Sequence, residues 1–149
     1  MAGLPMRQLN LLQSVLNAAA RLVYSAQKSE HVFPLFRDLH WLRVSQRIEF
    51  CLAVLIYRCL NGTASPYLAD GLECVADFSS RSRLHSASTA SLQVPRSKHS
   101  TIGDWAFPVA AANVWNSLPL SITSSPSPLQ FQRALKTELF RRSCGDAHH

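Results

Sequence analysis

Between Pro5 and Tyr24, apolar residues recur at alternating steps of three and four: Leu9, Leu12, Leu16, Ala19 and Val23. Gln8, Asn10, Gln13, Ser14, Asn17 and Arg21 fall largely outside that stripe. This is the period of an α-helix with one apolar face, and Pro5 suits its first turn, where a missing N–H costs nothing. A seam of so few turns predicts a helix facing a core rather than a coiled coil. From His31 to Val44 the apolar bulk is dense. Pro34 can open a short helical turn over Leu35 to Leu39, and Phe33, Phe36, Trp41 and Leu42 read as core filling rather than a cofactor pocket. A second long helix is predicted from Ser45 to Leu60, with Ser45 as N-cap and Asn61-Gly62 as the stop. It is apolar nearly all round from Phe50 onward, so it is expected to be the central, most buried element, with Leu55 in that core.

Ser65-Pro66-Tyr67-Leu68 begins a turn or a one-turn helix. From Ser79 to Ser100 the chain is rich in Ser, Arg and His, with Leu84, Leu92 and Val94 as scattered apolar points. Ser91-Leu92-Gln93-Val94 alternates and meets Pro95, the pattern of a short edge strand in a loose hairpin or loop. Pro108 breaks the stretch from Gly103 to Leu118, so the helix there is predicted over Val109 to Leu118, with Trp105 and Phe107 in the lead-in. Ser121 to Pro128 reads as a Ser/Pro-rich linker. The last helix has the clearest signals: Ser127 as N-cap, Pro128 at the first helical position and Gln130 three residues after the cap. Phe131, Ala134, Leu135 and Leu139 form its apolar stripe, Arg141 and Arg142 occupy its last turn, and Gly145 ends it. The fold class expected is mainly α: one small helical domain of about four helices with a loop or short β-hairpin insertion. Its parts would be a helical core over 1–78, a basic loop or hairpin over 79–102, a helical part over 103–142 and a tail over 143–149.

Composition narrows the classes. The 149 residues are 47% apolar, which excludes wholesale disorder, and only 16% charged, below the usual ~25%. The longest apolar run, Phe50 to Tyr57, is far short of the ~20 residues a bilayer span requires. Met1 to Asn10 lacks the basic-then-apolar build of a signal peptide, so the expected location is cytoplasmic or nuclear, not secreted. Cys51, Cys59, Cys74 and Cys144 form no C-x-x-C pair and read as buried free thiols rather than a disulfide frame. The nine acids include no Asp-x-Asp pair, and the six histidines lack metal-ligand spacing; neither a metal, a cofactor nor an enzymatic activity of the chain's own is expected. His40 reads as a packed or surface residue rather than a ligand.

Charge carries more information. Residues 1–78 hold seven cations and six anions, whereas residues 79–149 hold eight cations and three anions. The excess falls in two clusters. One contains Arg81, Arg83, Arg96 and Lys98, with His85 and His99 among them. The other contains Arg133, Lys136, Arg141 and Arg142. The forked guanidinium matches phosphate oxygens and dehydrates easily, so Arg81, Arg83, Arg96, Lys98, Arg141 and Arg142 are the candidate nucleic-acid contacts. The partner expected is RNA or single-stranded DNA, bound weakly and without sequence preference. A homo-oligomer or a protein partner through the first helix is the other association considered.

Several long strings carry a resemblance: LQSVLNAAARLV ending at Val23, PLFRDLHWLRVSQRIEFCLAVLIYRCLNGTASPYLAD from Pro34 to Asp70, RSRLHSAS from Arg81 to Ser88, LQVPRSKHSTIGDWAFPVAAANVWNSLP from Leu92 to Pro119, and LQFQRALKTELF from Leu129 to Phe140. In order and spacing the chain resembles the C-terminal, thumb-like region that follows the palm in reverse transcriptases of LINE-type, Rex-like non-LTR retrotransposons. The resemblance implies a non-catalytic fragment of an RNA-directed DNA polymerase, whose metal-binding aspartates and endonuclease motifs would lie upstream, and whose role is to help hold RNA and DNA. The chain departs from the family at Arg43, where a proline is usual, and at Cys51 and Trp105, where basic residues are usual. With Met1 placed beyond the catalytic part, these departures imply a truncated or decayed element copy. The alternative is a helical interaction module, or an orphan product without a selected function.

Overall fold

The computed structural model describes residues 5–69, 72, 92 and 107–145. They are mainly α-helical. Seven helices follow in order among them: α1 (Met6–Val23), α2 (Val32–Asp38), α3 (Val44–Leu60), α4 (Pro66–Ala69), α5 (Phe107–Asn116), α6 (Leu120–Thr123) and α7 (Pro128–Gly145). The four long segments expected from periodicity are all helical, and α2, α4 and α6 are short additions between them. α6 lies where a Ser/Pro linker was expected; Ile122 is buried there and ties the segment to the core. The expected edge strand of Ser91 to Val94 lies outside the described residues apart from Leu92.

α3 is the central element. It packs most extensively against α7 and then against α5, with α1 and α4 at its flanks. Ala53, Ile56, Tyr57 and Cys59 of α3 are buried. Ala53, Ile56 and Tyr57 meet Ala111, Ala112 and Trp115 of α5 and Phe131, Leu135 and Leu139 of α7 in one core. Fully buried alanines on α3 and α5 add no bulk between the two backbones. Phe131 occupies the middle: its ring stacks on Tyr57 at 4.3 Å between centroids and lies 5.8 Å from Trp115. The Tyr57 hydroxyl, at the edge of this stack, donates to the carbonyl of Ser125 at 2.9 Å, so a buried phenol is satisfied and the approach to α7 is fixed. Leu55, expected in the core, is only half-buried; Ile56 is the fully enclosed residue. Cys59 is buried, but Cys51 is exposed, which corrects the expectation of buried thiols there.

The helix ends show which signals are local. At α7 the expected cap is present: Ser127 Oγ accepts from the Gln130 N–H at 3.3 Å. At α3 it is not. Arg43, not Ser45, is the N-cap and makes no side-chain cap bond; Ser45 Oγ donates to Gln46 Oε1 instead. The orphan Val44 N–H is taken by Gln13 Oε1 of α1 at 3.0 Å, a cap delivered across the fold.

The C-termini of α1, α2 and α3 share one device. α3 ends in the expected left-handed Gly62, with the Gly62 N–H donating to the Cys59 carbonyl and the Thr63 N–H to that of Arg58. The same pair of bonds closes α1 around Ser25 and α2 around His40, both with positive φ. This is the paired 5→2 and 6→1 closure of a helix end, and here it is built twice without glycine.

α1 packs in a different orientation from the one expected. Its buried residues are Leu9 and Ala20, whereas Leu12 and Val23 of the expected inward stripe are exposed. Leu11, Val15 and Leu22 are exposed as well, Leu22 to 82%. On a helical projection Leu11, Leu12, Val15, Ala18, Ala19, Leu22 and Val23 span an arc of about 140°. The helix thus meets α2 and α3 along one edge of a broad apolar face and leaves the rest open.

With Phe131 wholly enclosed between aromatic partners, Phe131→Ala is expected to cost about 3–5 kcal/mol of folding stability. Denaturant unfolding followed by circular dichroism measures it; a loss no larger than that of an exposed-site substitution such as Leu129→Ala would refute the placement of the core.

Candidate nucleic-acid interface

Of the six candidate contacts, Arg81, Arg83, Arg96 and Lys98 lie outside the described residues. Arg141 and Arg142 lie near the C-terminal end of α7, Arg142 in its last turn, and converge on one acid, Glu138. Arg141 donates to both Glu138 oxygens, at 2.8 and 3.0 Å, and Arg142 Nε donates to Oε1 at 2.9 Å. Arg142 also reaches the Ser117 carbonyl just beyond α5 at 2.8 Å. Two cations on one acid leave a single net charge at this turn. The Arg141 side chain is 73% exposed and that of Arg142 only 32%, so Arg141 faces solvent while paired with Glu138, and Arg142 joins α7 to the end of α5.

These bonds hold the Glu138 carboxyl down at about 2, from an ordinary 4.5. Glu49, half-buried on α3, moves the other way: burial raises it, and the nearby Arg142 charge opposes the rise.

The basic segment has one described residue, Leu92, which is buried in the core. The Asn116 amide at the end of α5 grips it twice: the Leu92 N–H donates to Asn116 Oδ1 at 2.9 Å, and Asn116 Nδ2 donates to the Leu92 carbonyl at 2.7 Å. The side chain thereby reproduces one rung of a β-ladder. Arg142 bonds to Ser117, the next residue, so Leu92 is held at the same end of the molecule as the Arg141–Arg142 turn.

Clefts open elsewhere among the described residues. One, of about 470 Å³, separates α1 from α2 and the start of α3. Asn10, Gln13 and Asn17 line it, and Arg43 lies 5.8 Å from the Phe33 ring at its edge. Much of its polar lining is already engaged, since Gln13 bonds to both Asn17 and Val44. The His31–Val44 connection therefore fills the core only in part, through Phe36 and Leu42, and borders a cavity on its other side. The second cleft, of about 270 Å³, lies between the end of α2 and α7. Arg47 and Lys136 line it beside Trp41 and Phe50; neither cation was among the six candidates.

Among the described residues, no group of His, Cys, Asp and Glu is arranged to hold a metal ion, and no helix is long and apolar enough to cross a membrane. No family model, curated protein or solved structure matches the chain.

The two glutamates give opposite pH signatures. Glu138, lowered in the folded state, contributes stability that is present above its unfolded pKa and lost as pH falls toward 2. Glu49, raised in the folded state, binds its proton more tightly when folded, so its contribution is present in acid and lost as pH rises. Thermal melts are expected to show Glu138→Gln destabilised and Glu49→Gln stabilised at pH 7, with the Glu49→Gln difference vanishing below about pH 4.

Proposed function

We propose that this chain is the non-catalytic, thumb-like C-terminal part of a LINE-type reverse transcriptase, and that it binds RNA or single-stranded DNA weakly and without sequence preference. The resemblance of its long strings to that family supports the reading. The observation that carries it is the anchoring of Leu92, within the basic 79–102 stretch, on Asn116, whose neighbour Ser117 accepts from Arg142 of α7. Arg81, Arg83, Arg96 and Lys98 neutralise backbone phosphates in this reading. Arg141 adds a contact, and Arg142 mainly holds the surface in place.

A second reading, self-association through α1, is favoured by its open apolar face. Leu11, Val15, Ala18 and Leu22 recur at four, three and four residues, the spacing of a seam that packs against a copy of itself. No ionisable residue lies within that arc, and Arg7 and Arg21 fall outside it.

Fluorescence anisotropy with a labelled RNA across a salt series tests the first reading. Affinity is expected to fall with a log–log slope of about −0.7 per neutralised phosphate, and replacing Arg81, Arg83, Arg96 and Lys98 together by Ala is expected to flatten that slope and weaken binding. Equal affinity for parent and variant, or binding indifferent to salt, would refute it. For the second reading, sedimentation equilibrium is expected to show concentration-dependent dimers that Val15→Glu abolishes; a monomeric parent would dismiss it.

A further inference from the structure

The cleft between the end of α2 and α7 combines features that no function discussed above employs. Its origin is the left-handed closure of α2. His40 has φ 53°, and the chain turns so that Trp41 N–H donates back to the Phe36 carbonyl at 2.9 Å. The His40 ring then lies 5.8 Å from that of Phe140 on α7, nearly parallel at 17°, and joins the loop to the helix across one side of the cleft. Leu42 and Phe50 supply an apolar floor. Arg47 lies over the Trp41 ring at 5.8 Å and is oriented by its Nε, which donates to the Leu42 carbonyl at 2.9 Å. Lys136 closes the far side from α7. It is exposed and makes no hydrogen bond or ion pair among the described residues. No acid lines the cleft.

We propose that this cleft takes one unpaired base of a single-stranded nucleic acid, with the adjoining backbone phosphate held by Lys136 and Arg47. The Trp41 ring and the Arg47 guanidinium are both flat surfaces on which a base stacks. The cations beside them require an anion, and the absence of acid leaves no competing counter-charge. Its 270 Å³ falls just below the ~300–1,000 Å³ of ordinary ligand pockets, a size that suits a base entering from an open strand. A duplex keeps its base faces stacked and cannot use the site. An acidic peptide would meet the charges but leave the aromatic surfaces idle. The inference rests on the nucleic-acid reading above, but it adds a contact on residues separate from Arg81, Arg83, Arg96, Lys98, Arg141 and Arg142.

The test uses the full chain with a fluorescein-labelled oligo(dU) in anisotropy at low salt, and tryptophan emission with the unlabelled strand. Lys136→Glu is expected to weaken binding about ten-fold, whereas Arg58→Glu, the same charge change on an exposed residue of α3 that does not line the cleft, changes it less than about three-fold. Tryptophan emission is expected to be quenched on binding, and Trp41→Phe is expected to remove most of the quench. Matching melting curves for Lys136→Glu and the parent keep the comparison independent of folding. If the parent binds but both charge reversals weaken it equally, or the quench survives Trp41→Phe, this site is refuted and the broader reading stands. If the parent does not bind at all, both fall. Tighter binding of poly-glutamate than of the oligonucleotide at equal salt would also refute the site.

Discussion

The stack of Phe131 between Tyr57 and Trp115 sets the relation of three helices at once. Each ring comes from a different element, α3, α7 or α5, and each is buried. Such pairs contribute about 0.5–1.5 kcal/mol beyond the area they bury, but their directional effect matters more. A ring stacked nearly parallel on one neighbour and tilted on another admits little rotation of α7 about its axis. Leu135 and Leu139, one and two turns along, are then carried to the same fully enclosed face. Tyr57 extends the constraint through its hydroxyl, since the bond to Ser125 sets where the chain can begin α7. Arg142 closes the far end of the same helix onto Ser117, so α7 is held at its entrance, in its middle and at its exit.

Sequence reasoning located elements well wherever the decisive partner is a near neighbour in the chain. Ser127 and Pro128 mark α7 because cap and capped N–H are three residues apart; Pro108 places α5 because its ring constrains only its own turn. It located them poorly where the partner comes from elsewhere. The α3 cap is Gln13, thirty-one residues before the N–H that it satisfies, and no local pattern announces it. The closures at Ser25 and His40 were hidden for another reason: glycine marks a left-handed residue, while Ser or His there reveals nothing until the bonds are seen. The face of α1 was ambiguous in itself. With apolar residues over so much of its circumference, periodicity identifies a helix but not which arc is covered, and the short contacts with α2 and α3 settled it.

The candidate site divides along the same line. Counting cations singled out Arg141 and Arg142, and Glu138 three and four residues before them was already visible as a local partner. The Ser117 bond was not visible, and it turns Arg142 from a presumed ligand contact into a tie between helices. Arg47 was passed over, and Lys136 was counted only within a basic cluster, for the opposite reason. They sit on α3 and α7 with no sequence relation, and only the packing of those helices brings them to one cleft.

α7 thereby carries two electrostatic faces. Along one, Glu138 absorbs Arg141 and Arg142, and Glu49 of α3 lies within the field of Arg142; charge there is spent on holding the molecule together. Along the other, Arg133, Lys136 and Phe140 follow at three and four residues, and neither cation has an acidic partner among the described residues. The distinction matters because a cation already bonded to a carboxylate must surrender that bond before it meets a phosphate, whereas an unpaired one gives up only water. Net charge locates a basic protein on a scale, but the capacity to bind an anion belongs to the cations that folding leaves without a partner. Here Lys136 is such a cation, and it lines, with Arg47, the cleft bordered by His40, which stacks on Phe140 of α7.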